Sequence, residues 1–118
     1  MIETNLFGYV HGARVALRQF AAQAAACWSR TPQLVQNASI VGRTAKPDGS
    51  AYATSKFAVR GLSEALRQEL LDQPAIQVCT VLPSVIDTPL FQHAGNYSGH
   101  RIRAAPPVYT AEEVAERS

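Results

Sequence analysis

The sequence Tyr52-Ala53-Thr54-Ser55-Lys56 places a phenol and an ammonium four residues apart. On a helix, residues with this spacing lie on the same face, one turn from each other. An unperturbed tyrosine has a pKa near ~10, which is too high for proton transfer at neutral pH. An ammonium about 4 Å away, at an effective dielectric constant of about 20, favours the phenolate by roughly 4 kcal/mol, enough to lower such a pKa by about three units. The motif therefore predicts a tyrosine that exchanges protons, activated by a lysine.

Polar residues at two other places support a site around this motif. Ser39 precedes the tyrosine by thirteen residues and ends an apolar run. A hydroxyl held beside Tyr52 could hydrogen-bond a substrate oxygen and stabilise the charge that develops on it. A second apolar run ends in Leu82-Pro83-Ser84-Val85-Ile86-Asp87-Thr88. Taken alone, Tyr-x-x-x-Lys is also compatible with an ordinary solvated helix face, so the prediction depends on this combination.

The composition is that of one soluble globular domain. The chain has 118 residues, 47% hydrophobic and 17% charged, with a formal net charge of +2, and we treat residues 1–118 as a single partial domain. The basic residues are scattered, which argues against nucleic-acid binding. Cys27 and Cys79 have no metal-ligand spacing, and we expect reduced thiols, with Cys79 packed inside a strand. No segment has the length of a membrane span or the pattern of a signal peptide, so the expected location is cytoplasmic, with no membrane partner.

The hydrophobic periodicity predicts an alternation of helices and strands. The expected elements are a helix from Thr4 to Cys27, a strand from Leu34 to Ala38 that continues to Ser39, a helix from Ala51 to Asp72 and a strand from Ile76 to Leu82. A helical crossover between strands implies parallel pairing and a right-handed connection. The second helix is expected to bury one stripe, formed by Phe57, Ala58, Leu62, Ala65, Leu66 and Leu70.

In this order and spacing, the segments resemble the carboxyl-terminal half of a short-chain dehydrogenase/reductase. The family pattern is an asparagine in a helix, a serine after a strand, Tyr-x-x-x-Lys opening a helix, and Pro-Gly-x-x-x-Thr after the next strand. The resemblance extends from about Thr4 to about Pro107, and Ser84 stands where the family usually has glycine. It implies an α/β fold, namely the helix–strand–helix–strand portion of a partial Rossmann-like, doubly wound parallel sheet.

The resemblance also implies roles for four polar residues. Tyr52 would be the general acid/base, and Lys56 would lower its pKa and hold the nicotinamide ribose. Ser39 would orient the substrate oxygen. Asn5 would hold a water of the proton relay through its backbone carbonyl, although by itself an asparagine there is also compatible with a helix cap.

Residues after the second strand are implied to complete the binding site. The expected cofactor-binding residues are Tyr52, Lys56, Pro83, Ile86 and Thr88, of which Ile86 and Thr88 would contact the nicotinamide carboxamide. Residues 89–109 would form a substrate-covering loop. Its candidate substrate contacts are Phe91, His93 and Tyr97. Beyond this loop, Thr110 and Glu113 predict a capping box that opens a last helix.

The function implied is interconversion of an alcohol and a carbonyl with NAD or NADP, without a metal. The sequence contains no Gly-rich, pyrophosphate-binding half, so we expect a fragment that is inactive by itself and whose choice of cofactor stays open. One alternative is an epimerase or dehydratase of the related extended family, which uses the same tyrosine and lysine. Another is a non-catalytic α/β dimerisation module. In the family the helices corresponding to residues 4–27 and 51–72 form a dimer interface, which implies a homo-oligomer.

Overall fold

The computed structural model describes residues 1–26, 29–45, 47–93, 99–100, 104 and 106–117, with the backbone alone at residues 91 and 92. Tyr97, one of the predicted substrate contacts, lies outside these residues. The chain divides into two compact units, Met1–Leu82 and Pro83–Ser118. Each unit has its own pair of parallel strands.

The first unit contains two long helices and two strands. Glu3–Phe7 is π-helical and continues directly into helix α1, Gly8–Ala25. The other elements are strand β1 (Gln33–Asn37), helix α2 (Ser50–Glu69) and strand β2 (Gln77–Val81). The predicted order of helix, strand, helix and strand is thus confirmed, with boundaries that differ by a few residues.

β1 and β2 pair in parallel, as predicted, from Gln33 opposite Gln77 to Asn37 opposite Val81. The prediction that the first strand continues to Ser39 was wrong. Ser39 begins a 3-10 turn, Ile40–Gly42, and its Oγ accepts a hydrogen bond of 3.2 Å from the Val41 N–H. The strand ends at Asn37, and the Ser39 side chain caps the turn that follows it.

Both helices pack on the same face of this two-stranded sheet. The core consists of Ala13, Leu66 and Val78, surrounded by Leu17, Leu34, Leu62 and Leu70. Successive strand residues point to opposite faces, and on the other face Val35 is 44% exposed and Cys79 is exposed. The prediction that Cys79 is packed inside its strand was therefore wrong, because its neighbour Val78 takes the buried side.

The predicted stripe of α2 is confirmed at Leu62, Leu66 and Leu70, which belong to the core, and is wrong at two positions. Phe57 is 44% exposed and Ala65 is exposed, whereas the buried residues are Ala53, Ser55, Val59, Ser63 and Leu66. Ser63 Oγ donates to the buried Gln36 Oε1 at 3.0 Å and is also 3.0 Å from the Val59 carbonyl oxygen. The buried face of α2 thus carries small residues, and one of them connects the helix to the sheet by a side-chain hydrogen bond.

The second unit is smaller. Strand β3 (Val85–Ile86) pairs in parallel with strand β4 (Val108–Tyr109), and the short helices are α3 (Leu90–His93) and α4 (Ala111–Glu116). The predicted capping box is confirmed, since the Thr110 side chain accepts from the Glu113 N–H and Glu113 accepts from the Thr110 N–H. Among the residues described, no helix is long and apolar enough to cross a membrane.

Candidate active site

Tyr52 and Lys56 occupy the first turns of α2, both half-buried. Lys56 Nζ lies 5.8 Å from the centroid of the Tyr52 ring. The same ammonium donates a hydrogen bond of 3.1 Å to the backbone carbonyl oxygen of Asn37, the last residue of β1. The lysine side chain is thus fixed between its own helix and the carboxyl end of a strand, where open parallel sheets commonly place their chemistry.

Burial lowers the pKa of Lys56 below its usual value. Desolvation disfavours the charged form of a base, and Lys56 is partly covered by the side chains and backbone around it. An ammonium in such a setting interacts more strongly with its neighbours than one in water, because the local dielectric constant is lower.

Tyr9, on α1, also belongs to this cluster, although the sequence analysis missed it. Its hydroxyl donates to the Asn37 carbonyl oxygen at 2.6 Å, and its ring centroid lies 5.8 Å from Lys56 Nζ. Burial, and secondly the charge of Tyr52, raise the pKa of Tyr9. Its partner Asn37 lies 28 residues away in the sequence, and no local spacing reveals a contact of this kind.

Ser39 lies on the turn that follows β1 and is buried. This turn packs directly against α2, because a Cβ added at Gly42 would lie only 2.9 Å from the Lys56 carbonyl oxygen. The Ser39 Oγ accepts from Val41, which leaves its hydroxyl proton available for donation to another oxygen. Residues at this turn and at the start of α2 are therefore held together by a backbone contact that only glycine allows.

Asn5 lies in the π-helical segment and contacts α2 through Ser55. Asn5 Nδ2 donates to Ser55 Oγ at 3.3 Å, and Ser55 Oγ donates to the Tyr52 carbonyl oxygen at 2.7 Å. Ser55 is fully buried and connects the two elements, although it was not among the predicted site residues. π-Helical turns are rare and are found frequently at functional sites.

The remaining predicted site residues belong to the second unit. Pro83, Ile86 and Thr88 are half-buried, and Ile86 lies in β3 opposite Tyr109. His93 is exposed at the end of α3, and the Phe91 side chain is not among the described parts. The predicted catalytic residues thus lie in one unit and the predicted carboxamide contacts in the other. Within the described ranges, no group of three or more His, Cys, Asp or Glu side chains could hold a metal ion.

Comparison with known proteins identifies the family. The sequence model described as short chain dehydrogenase matches residues 1–97. The chain belongs to the short-chain dehydrogenase family. YxnA of Bacillus subtilis (strain 168), named as an oxidoreductase, is 31% identical over 120 residues, which cover 97% of this chain and 32% of that protein.

Two further relatives carry similar names. SadH of Mycobacterium tuberculosis (strain ATCC 25618 / H37Rv), also named as an oxidoreductase, is 36% identical over 95 residues, covering 80% of this chain and 32% of SadH. Ipsdienol dehydrogenase of Ips pini is 30% identical over 98 residues, covering 83% of this chain and 38% of that enzyme. The chain therefore spans about a third of the length of the curated relatives it matches.

A solved structure agrees with this assignment. The crystal structure of a short chain dehydrogenase from Burkholderia cenocepacia J2315 in complex with NADP matches with a TM-score of 0.61 and 27% identity, over 97% of this chain and 41% of that chain. With its helices and parallel strands, this short-chain dehydrogenase chain has a partial α/β, Rossmann-like fold, as predicted. Because its relatives are named as oxidoreductases, this family is a family of oxidoreductases.

Proposed function

We propose that the chain carries the proton-transfer residues of an NAD(P)(H)-dependent oxidoreductase that interconverts an alcohol and a carbonyl. The main support is the position of Lys56 Nζ, 5.8 Å from the centroid of the Tyr52 ring and anchored on the Asn37 carbonyl. A cation beside a phenol favours the phenolate form, which makes proton exchange at the hydroxyl easier. Family membership and the NADP bound to the Burkholderia relative support the same class of chemistry.

In the direction of reduction, Tyr52 would donate its hydroxyl proton to the carbonyl oxygen of the substrate. In the direction of oxidation, it would accept the proton of the alcohol. Ser39 would donate a hydrogen bond to the same substrate oxygen and stabilise the negative charge that develops there. A nicotinamide cofactor, when bound, supplies or accepts the hydride.

The residues of the first unit are suited to hold the ribose of such a cofactor. A lysine ammonium has three N–H donors, and the bond to Asn37 uses one of them. Ribose hydroxyls are acceptors that Lys56 could bind while it remains beside Tyr52. Pro83, Ile86 and Thr88 would hold the carboxamide end, and Asn5, in its π-helical segment, would hold the water of a proton relay.

Two other functions differ from this proposal in testable ways. An epimerase or dehydratase would use the same Tyr52 and Lys56, but the Pro83 to Thr88 segment favours the dehydrogenase branch. A dimerisation module would use the exposed apolar residues of both helices, among them Val15 and Phe57, and would not bind nicotinamide. Titration of a full-length protein that contains this sequence with NADH and NADPH, followed by nicotinamide fluorescence, distinguishes a module of this kind from a reductase.

The decisive experiment uses a full-length protein that contains this sequence. Tyr52→Phe removes only the group that transfers the proton, so turnover should fall almost completely while cofactor affinity changes little. Lys56→Ala should lower both, since the ammonium serves the tyrosine and the ribose. Lys46→Ala, at the other of the two lysines in the sequence, is the control and should leave both unchanged. An unchanged rate and pH profile in Lys56→Ala would contradict the role proposed for the lysine.

A further inference from the structure

Two phenol rings lie near the Lys56 ammonium, and one of them lies outside the Tyr-x-x-x-Lys motif. Lys56 Nζ is 5.8 Å from the centroid of the Tyr52 ring and 5.8 Å from that of the Tyr9 ring. Within about 6 Å, the face of an aromatic ring attracts a cation. The two rings come from different helices, since Tyr9 lies on α1 and Tyr52 on α2. A second element therefore helps to define where the ammonium can lie.

The hydroxyl of Tyr9 binds the same acceptor as Lys56. Tyr9 donates to the Asn37 carbonyl oxygen at 2.6 Å, and Lys56 Nζ donates to that oxygen at 3.1 Å. A backbone carbonyl has two lone pairs and can accept both bonds. One oxygen at the end of β1 thus connects α1 with α2, and the Tyr9 ring cannot leave the lysine without losing its short hydrogen bond.

The ionisation of both groups agrees with a shared, partly desolvated enclosure. Burial lowers the pKa of Lys56 and raises the pKa of Tyr9. A raised pKa keeps Tyr9 protonated, and only a protonated phenol can donate to the Asn37 carbonyl. Tyr9 thus stays a hydrogen-bond donor to a higher pH than an ordinary tyrosine would.

We propose that Tyr9 is a positioning residue that holds the Lys56 ammonium against Tyr52. Its ring forms a second wall of the lysine site besides Tyr52, and its hydroxyl fixes that wall to the strand end. Without the wall, the four-carbon side chain of Lys56 is free to turn towards solvent, away from the phenol it is meant to activate. The catalytic consequence rests on the proposed function, whereas the placement of the ammonium can be measured independently of it.

The test is a pH titration of the 118-residue chain carrying lysine labelled with 13C at Cε, whose chemical shift follows protonation of Nζ. The sequence contains two lysines, so two signals appear, and Lys46→Arg assigns them. The lowered pKa of Lys56 is caused by burial, which outweighs the attraction of the rings for the ammonium. Tyr9→Leu removes the ring and the hydroxyl, admits water to Nζ and should therefore raise the titration midpoint of Lys56 towards that of an ordinary lysine. Tyr9→Phe keeps the ring and should raise it less.

The control is Phe7→Leu, which removes an exposed ring two residues from Tyr9 and should leave the Lys56 midpoint where it is. An unchanged midpoint in Tyr9→Leu, or a shift in Tyr9→Phe as large as that in Tyr9→Leu, would overturn the proposal.

If Tyr9→Leu lost its helical circular dichroism, the unmodified chain would decide. Nuclear Overhauser effects between the Lys56 ε-protons and the Tyr9 ring are expected there, and their absence overturns the proposal. None of these readouts involves turnover, so a failure of the proposed oxidoreductase activity would appear separately, as a Tyr52→Phe variant that retains its rate.

Discussion

At the scale of single residues, the ionisation of Lys56 should be visible in the stability of the chain. Burial lowers the pKa of Lys56, whereas a lysine in an unfolded chain has a pKa of about 10.4. Between these two values the unfolded state binds more protons than the folded state, so the free energy of unfolding rises with pH. The gain in the free energy of unfolding is complete above a pH of about 10.4, and it is lost as the pH falls through the lowered pKa of Lys56. Lys56→Met has no ionisable group and should lack this rise.

Urea unfolding at a series of pH values from about 7 to about 9 measures the rise below the pKa of about 10 at which ordinary tyrosines ionise. Lys46→Met is the control, and it should keep the pH dependence of the unmodified chain. Parallel pH dependences for Lys56→Met and the unmodified chain would mean that Lys56 is not desolvated in the folded state.

How far the candidate site could be predicted depends on whether its contacts are local. The adjacency of Tyr52 and Lys56 follows from the helical repeat, because four residues make about one turn. Tyr9 could not be found in this way, since its partner Asn37 is 28 residues away in the sequence. Which face of α1 meets the end of β1 is decided by packing of the two helices on the sheet, and no periodicity within α1 contains that information.

At the scale of elements, the contact between the Ser39 turn and α2 should be sensitive to one methyl group. Gly42→Ala places a Cβ 2.9 Å from the Lys56 carbonyl oxygen, and a helix backbone cannot move aside without disturbing its own hydrogen bonds. Overpacking of this kind costs about 1–3 kcal/mol. The free energy of unfolding, measured with urea, should fall by that amount.

Gly61→Ala is a matched control for this substitution. Gly61 lies within α2, where an added Cβ meets nothing within 4 Å. Alanine is favoured over glycine in a helix interior by about 1 kcal/mol, so this variant should be more stable than the unmodified chain. Equal effects of the two substitutions would show that the turn and α2 are not in close contact.

The capping box of α4 gives a second test at this scale. Hydrogen bonds from the backbone N–H and the side chain of Thr110 lower the pKa of Glu113. The cap is therefore complete above the ordinary glutamate pKa of about 4.3 and is lost as the pH falls through the lowered value. Carbon chemical shifts of residues 111–116 should show the helix fraying at that lower pH. Thr110→Ala should fray it at neutral pH, whereas Glu112→Gln, next to the box, should not.

The errors in the predicted elements have a common physical cause. The predicted strand end was two residues too long because the Ser39 side chain bonds to the backbone of the next turn. The predicted stripe included Phe57 because hydrophobicity alone was counted, whereas the buried face of α2 carries Ser63, whose hydroxyl bonds to the buried Gln36. In both places a small hydroxyl residue determines the geometry, and a pattern of apolar residues does not register it.

At the scale of the whole molecule, we predict a homodimer or larger assembly that uses α1 and α2. Val15 on α1 and Phe57 on α2 remain exposed although both helices already cover the sheet. Sedimentation over a range of concentrations should show self-association, which Phe57→Glu weakens. Gln68→Glu adds the same charge at another exposed position of α2 and should leave association intact. A folded monomer at every concentration would contradict the prediction.

The last prediction is that the 118-residue chain alone turns over no alcohol or carbonyl, even though Asn5, Ser39, Tyr52 and Lys56 lie in one compact unit. Hydride transfer requires the nicotinamide to be held about 3–3.5 Å from the substrate carbon. The chain covers 41% of the Burkholderia enzyme that binds NADP, and one face of its sheet, which carries Val35 and Cys79, is exposed. Doubly wound sheets have both faces covered and bind dinucleotides at the carboxyl ends of several adjacent strands, whereas β1 and β2 form a sheet of two.

The measurement is an assay of the chain with NADH and NADPH against a panel of ketones, aldehydes and alcohols. The expected result is no saturable turnover, although the NMR titration of Lys56 still reports an enclosed ammonium. Tyr52→Phe is the control for any residual signal, because it removes the proton donor and leaves the rest of the unit intact. Saturable turnover that disappears in this variant would mean that the 118-residue chain is sufficient to hold the cofactor against the substrate.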